Sequence, residues 1–335
     1  MNPSDKFKNI LIIKPGAIGD LLQLTPVLRA LKRQYPSAKI SLLVGSSSTA
    51  ELFHYNKNVS ETIVYDKKNL HRTLWAFIGL WQELYRKQYD LVVNFQRSNL
   101  KTWLLAAAAF PCRVLVYHKA RSRNVHAVVN YLETLAPLGI DGQDVNLELN
   151  PGPEARAFAQ TILVSLGEAG KPVIALNPGA SHPVNRWGTD RFAALADRIS
   201  QELSAKVIII GGAEDRLLAE EIRTKARSRP LAMTGKASIL EAGALLEKCR
   251  LLVSGDTGPL HLAAAVGTPV LALFGAADPA RTGPVGSGHR VMQAEGVACV
   301  PCKSRSCKNR IERECMEKIS VDSVFEAVRA MIKKS

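Results

Sequence analysis

Short runs of Ile, Val and Leu recur along the chain, each followed by a longer stretch whose apolar positions return every three or four residues. In the first half the runs read NILIIK, AKISLLV, ETIVY, DLVVNF and CRVLVY; in the second, KPVIALNPG, AKVIIIGG, RLLVSGD and TPVLALFG. Continuous apolar runs of this length, alternating with helix-sized segments, predict parallel strands buried on both faces by helices. The fold class expected is α/β, with two doubly wound, Rossmann-like domains. Between the two sets lies LGIDGQDVNLELNPGPEARAF, which keeps neither period and reads as a linker. The expected domains are 1–150 and 151–319. Residues 320–335 form a terminal helix opened by Ser320, with Val324, Val328 and Met331 at helical spacing; packing back on the first domain is one place for it. Two doubly wound domains facing each other would line an interdomain cleft with the carboxyl ends of their strands, where ligands of such sheets bind.

A length of 335 residues suits two domains of roughly 150 residues. Hydrophobic residues make up 47% and charged residues 22%, and no run approaches the roughly 20 apolar residues that span a bilayer. The opening MNPSDKFKN shows no apolar leader, which points to the cytoplasm. The formal charge of +14 implies an acidic partner. The stretch 91–132 concentrates it, with Arg97, Lys101, Arg113, Lys119, Arg121 and Arg123 and no Asp or Glu. Aromatics are only 6% and no nucleic-acid motif is present, which argues against nucleic acid and for a phosphorylated small molecule or an anionic membrane.

Four loops after strands carry candidate chemistry. In KPGAIGDLLQLTP, Gly16 and Gly19 permit a tight turn, and Asp20 stands at the start of the next helix, as a cap or as a general base in the cleft. In LNPGASHPVNRWGTDRF, Arg186 is a phosphate clamp candidate, because its planar donors bind two oxygens at once, and Thr189 is the expected N-cap of the following helix. In IIIGGAEDRLLAEEI, Glu214 and Asp215 either accept from ribose hydroxyls or complement a helix dipole. In LLVSGDTGPLHLAAAVG, Asp256, Thr257, Gly258 and His261 surround a helix N-terminus opened by proline, a ready anion site. No DxD pair accompanies these loops, so the phosphate site is expected to work without a metal ion. Cys299, Cys302, Cys307 and Cys315 form a late cluster whose first pair has zinc-type spacing; a structural zinc, reduced thiols and disulfides all remain open.

With KPGAIGDLLQLTPVLRAL, NPGASHPVNRWGTDRFAALA and SGDTGPLHLAAAVGTPVLALFGAADP in place, the chain resembles glycosyltransferase family 9, the ADP-heptose:lipopolysaccharide heptosyltransferases, over nearly its whole length. The resemblance implies a GT-B fold, an N-terminal acceptor domain with Gly16, Gly19, Arg97, Lys101, Arg121 and Arg123 on the acceptor side, and a C-terminal domain that binds ADP-heptose. It implies an inverting, metal-independent transfer to the lipid A-Kdo inner core of lipopolysaccharide at the inner membrane. Asp20 matches the family's catalytic carboxylate, and Asp256, Thr257, Gly258 and His261 match its diphosphate segment. Where the family usually reads Lys-Arg-Trp, this chain has Asn185, Arg186 and Trp187, so Arg186 is the nearest substitute for the missing lysine. Rival readings are another GT-B sugar transferase, an epimerase, or a non-catalytic nucleotide-sugar binding protein.

Overall fold

The computed structural model describes residues 6–67, 69–96, 100–118, 124–167 and 170–334. The chain divides into two compact units, the first ending at Asn150 and the second beginning at Pro151. In the first, β1 (Asn9–Ile13), β2 (Lys39–Val44), β3 (Glu61–Val64), β4 (Leu91–Asn94) and β5 (Arg113–Val116) form a parallel sheet in the order β3-β2-β1-β4-β5. In the second, β6 (Val173–Asn177), β7 (Lys206–Ile209), β8 (Leu231–Ala232), β9 (Leu251–Ser254), β10 (Val270–Phe274) and β11 (Arg290–Gln293) form another, in the order β11-β10-β9-β6-β7-β8. Each unit is thus doubly wound. Chain order reverses between β1 and β4 and again between β6 and β9, and at those points the loops leaving adjacent strands diverge and open a crevice.

Burial explains the continuous apolar runs. Ile10 to Ile13 of β1 and all of β4 and β9 are buried, as strands covered by helices on both faces must be. One core of the first unit gathers Leu11, Ile13, Leu43, Val92, Leu80, Leu84 and Leu105. The second unit's core gathers Ile174, Val253, Leu273, Phe192 and Trp187. The terminal helix Val321–Lys334 begins at Ser320, whose hydroxyl accepts the Ser323 amide at 3.1 Å, and buries Val324, Phe325 and Val328 in that second core, against the helix Thr189–Glu202. Its apolar face is thus used within the second unit's core.

The expected linker is pinned down. Arg29, on the helix Thr25–Gln34, binds Asp144 at 3.0 Å, Glu148 at 2.8 Å and the Asn146 carbonyl at 2.7 Å, while the Glu148 amide donates to Thr25 Oγ1 at 3.1 Å. Among the described residues no helix is long and apolar enough to cross a membrane.

Candidate functional site

Asp20 lies in the first turn of the helix Ile18–Leu22, directly after β1. The N-cap is Ala17 and makes no side-chain cap bond, so the capping reading of Asp20 finds no support in the geometry. Its carboxylate instead accepts a hydrogen bond from the Tyr131 hydroxyl at 3.1 Å, and Lys14 Nζ stands 3.7 Å from the same oxygen. Lys14 also donates to the Tyr131 oxygen at 2.8 Å and sits over its ring, 4.8 Å from the centroid. Tyr131 is carried by the helix Ala127–Glu133 and wedged edge-on against Phe95 and Tyr117. Burial holds the Lys14 ammonium below the ordinary lysine range, with Asp20 opposing that shift, and burial together with Asp20 drives the Tyr131 hydroxyl upward. Lys14 is 7% exposed and Asp20 45% exposed, so the carboxylate alone of the three reaches solvent. Such a carboxylate, held by a hydrogen bond from one buried hydroxyl beside a buried ammonium and open on one side, is arranged to accept a proton from a bound hydroxyl.

Gly16 makes the tight turn: its amide donates to the Lys14 carbonyl at 2.8 Å, and a Cβ there would come within 3.1 Å of Asp20 Cβ and 3.2 Å of Lys14 Cε. Gly19 lies inside the helix rather than the turn. Beside Gly16 is a cavity of about 340 Å³, lined by Pro15, Ser46, Tyr65, Asp66, Asn69 and Gln96. The buried Tyr65 hydroxyl on its wall has no hydrogen-bond partner. Lys101 is exposed on the helix Leu100–Ala107, and Arg97, Arg121 and Arg123 fall outside the described residues.

The second unit repeats the arrangement at its own reversal point. Asn177, at the end of β6, is wholly buried. Its amide donates to the Ile210 carbonyl at 2.9 Å, and its oxygen accepts from Ser254 at 3.2 Å and from Thr257 at 3.0 Å. Thr257 is the N-cap of the helix Gly258–Ala265 but makes no side-chain cap bond, because its hydroxyl is turned to Asn177. Asn177 therefore fixes the whole loop from Ser254 to Gly258. Asp256 accepts from Thr282 at 3.1 Å, and burial pushes its carboxyl up to about 6 against that hydrogen bond. His261 is buried one turn into the helix.

The Arg186 loop reaches the same place. The Asn185 carbonyl would stand 3.4 Å from a Cβ on Gly255, so the two backbones nearly touch. Arg186 Nε and Asn185 Oδ1 are both buried without hydrogen-bond partners, as expected of polar atoms prepared for a ligand. Trp187 is structural: its indole donates to the Ile319 carbonyl at 2.8 Å and meets Phe192 edge-on. The N-cap after it is Gly188, not Thr189, whose hydroxyl binds Glu221 at 2.7 Å. Asp215 is buried under two turns and accepts from the Gly212 amide at 3.3 Å; a Cβ on Gly179 would collide with its carboxylate. Burial raises the Asp215 carboxyl, Glu214 adds to that, and the Gly212 amide and Arg186 oppose it. Glu214 is exposed and curls over Gly212.

The four late cysteines do not assemble the zinc site that their spacing allowed. All are unpaired; Cys299 and Cys302 are exposed, Cys307 accepts the Arg313 amide at 3.2 Å, and Cys315 is buried. Burial raises the Cys315 thiol, with smaller contributions from the other three, yet among the described residues no three His, Cys, Asp or Glu side chains converge as a metal ion requires. The segment has a different use: Arg313 Nη1 donates to the Arg186 carbonyl at 3.3 Å and so braces the candidate donor loop.

The sequence pointed to Asp20, Arg186 and the loop from Asp256 to His261, and missed Lys14, Tyr131 and Asn177. Lys14 and Asn177 sit at the ends of apolar runs and read as strand termini; a polar residue closing a buried strand was the available signal.

Comparison with known proteins matches the model of glycosyltransferase family 9 (heptosyltransferase) to residues 77–311. The chain is 28% identical over 282 residues to lipopolysaccharide heptosyltransferase 3 of Escherichia coli strain K12, covering 78% of this chain and 80% of that one. A glycosyl transferase family 9 structure from Veillonella parvula superimposes with a TM-score of 0.87 at 25% identity, over 99% of both chains. The ADP-heptose LPS heptosyltransferase II of E. coli superimposes with a TM-score of 0.79 at 21% identity, over 97% of this chain and 99% of that one, a likeness of fold.

Proposed function

The chain belongs to glycosyltransferase family 9, the heptosyltransferases, and from that membership we propose that it transfers heptose from ADP-heptose to the lipid A-Kdo inner core of lipopolysaccharide. The transfer is an inverting displacement that needs no catalytic metal. An acceptor hydroxyl attacks the anomeric carbon, the bond from that carbon to the diphosphate oxygen breaks, and ADP leaves with the electron pair. The hydroxyl proton passes to Asp20. General-base assistance of this kind is worth about 10² to 10⁴ in rate. The observation that carries the reading is the state of Asp20: it is not engaged as a cap, the buried Tyr131 hydroxyl donates to it with the Lys14 ammonium alongside, and it remains 45% exposed.

On the donor side, amides at Thr257 and Gly258, with Arg186 and His261, meet the charge that develops on the leaving diphosphate. The partnerless Arg186 Nε supports that role. Glu214 is available to the ribose hydroxyls and Asp256 lines the same loop, while Asp215 shapes the turn that carries Glu214. Gly16 lets the acceptor approach Asp20, and the basic stretch of sequence holding Arg97, Lys101, Arg121 and Arg123 supplies positive charge for the phosphorylated acceptor and the anionic cytoplasmic leaflet of the inner membrane. The test is ADP release from ADP-heptose with lipid A-based acceptors of graded core length. Release that depends on acceptor supports transfer. Turnover of ADP-heptose alone, or binding without turnover on any acceptor, would sink it.

A further inference from the structure

The first unit carries an apolar face that neither its core nor the candidate site uses. In the helix Leu100–Ala107, Thr102, Leu105 and Ala106 point inward. The opposite side repeats Leu100, Trp103, Leu104 and Ala107 at helical spacing, all exposed, and the chain continues to Phe110, which is 77% exposed. A helix apolar on both faces is expected to be covered on both. Its neighbour, Leu74–Arg86, joins it through the Trp81 indole, which donates to the Leu104 carbonyl at 3.0 Å. Leu74, Ile78, Trp81 and Tyr85 run along that same side, Trp81 and Tyr85 stack 5.6 Å apart, and Trp75 beside them is 81% exposed. Two of the chain's four tryptophans, Trp75 and Trp103, are thus exposed on this face; Trp81 at its edge is partly buried against the core, and Trp187 is buried.

We propose that this two-helix face inserts into the interfacial layer of an anionic lipid bilayer. The occupant is chosen by chemistry. Trp and Tyr flanked by Leu and Phe match the headgroup boundary, where amphipathic rings settle. Arg86 and Lys101 stand exposed on the two helices and Arg72 just ahead of the first, and the acid-free stretch 91–132 runs through the other, giving the sign an anionic surface requires. The choice of a bilayer rests on the lipid-borne acceptor proposed above, but the mode of attachment is new: apolar insertion from exposed aromatics in addition to attraction by the basic segment.

The difference can be measured without any sugar donor, so the transfer reading and this one fail separately. Vesicles of phosphatidylcholine with phosphatidylglycerol should sediment the protein, shift its Trp emission to the blue, and quench it when their acyl chains are brominated. Binding should persist in about 1 M salt, where attraction between exposed charges is largely screened. Trp75→Glu with Leu100→Glu, or Phe110→Asp alone, changes only exposed side chains and should weaken vesicle binding at least tenfold. Melting and turnover on a deacylated, water-soluble acceptor should stay unchanged. The proposal is overturned if the wild-type protein ignores vesicles, if salt abolishes its binding, or if both variants bind as it does. It is equally overturned if the face proves to join copies of the chain, seen as a concentration-dependent sedimentation shift that the variants lose.

Discussion

Asp20 owes its orientation to Tyr131, far away in sequence, and to Lys14 at the end of the preceding strand run. Asp20→Asn should keep the melting temperature within a few degrees and lower kcat by about 10² to 10⁴, read by coupled detection of ADP. Tyr131→Phe keeps the ring but removes the hydroxyl between Lys14 and Asp20, leaving a buried ammonium short of one acceptor. It should cost about 1–3 kcal/mol of stability in denaturant titrations, and lower kcat with little change in KM. Asp256 gives a pH dependence of known sign. Burial pushes its carboxyl up to about 6 in the folded state against 3.8 for a free side chain, so between those pH values the native state binds more protons than the unfolded one. Its contribution to stability therefore falls as pH rises through that window and stays low above it. Asp256→Asn should be more stable than wild type by roughly 3 kcal/mol or less at pH 7.5, and the advantage should vanish toward pH 4 in paired thermal melts. At this scale, motif residues such as Asp20 and Thr257 were legible because glycine and proline punctuate their loops. Tyr131 was not, because it sits in a helix 111 residues away from its partner.

The element that organises the loop from Ser254 to Gly258 is β6, through one side chain. Asn177→Leu would leave Thr257 and Ser254 without their shared acceptor, release the start of the helix Gly258–Ala265, and raise the donor KM at least tenfold more than it changes the acceptor KM in steady-state kinetics. Nine strands were visible as apolar runs: burial on both faces leaves no room for alternation in central strands such as β1, β4 and β9, while the edge strands β3 and β5 keep an apolar run though only partly buried. β8 and β11 were not: β8 is two residues long, and β11 at the sheet edge is only partly buried and offers no continuous run. Trp187 looked like part of a ligand loop and proved to be core, because its ring is used by Phe192 and its N–H by Ile319.

Each unit closes its own sheet and builds its own core, so the molecule should unfold in two steps wherever calorimetry resolves them. Removing residues 320–335 takes Val324, Phe325 and Val328 out of the second core and should lower the corresponding transition while leaving the other in place. The strand rhythm made this division legible, whereas the basic stretch 91–132 was readable only as charge. The same independence bears on inheritance. Recombination between Asn150 and Pro151 would cut no strand ladder, and it would leave Lys14, Asp20 and Tyr131 together on one side and Asn177, Arg186 and Thr257 together on the other. If the transfer proposed above holds, a lineage can exchange the half that chooses the hydroxyl while keeping the half that holds the nucleotide, so new acceptors become reachable by shuffling gene segments rather than by accumulating point changes.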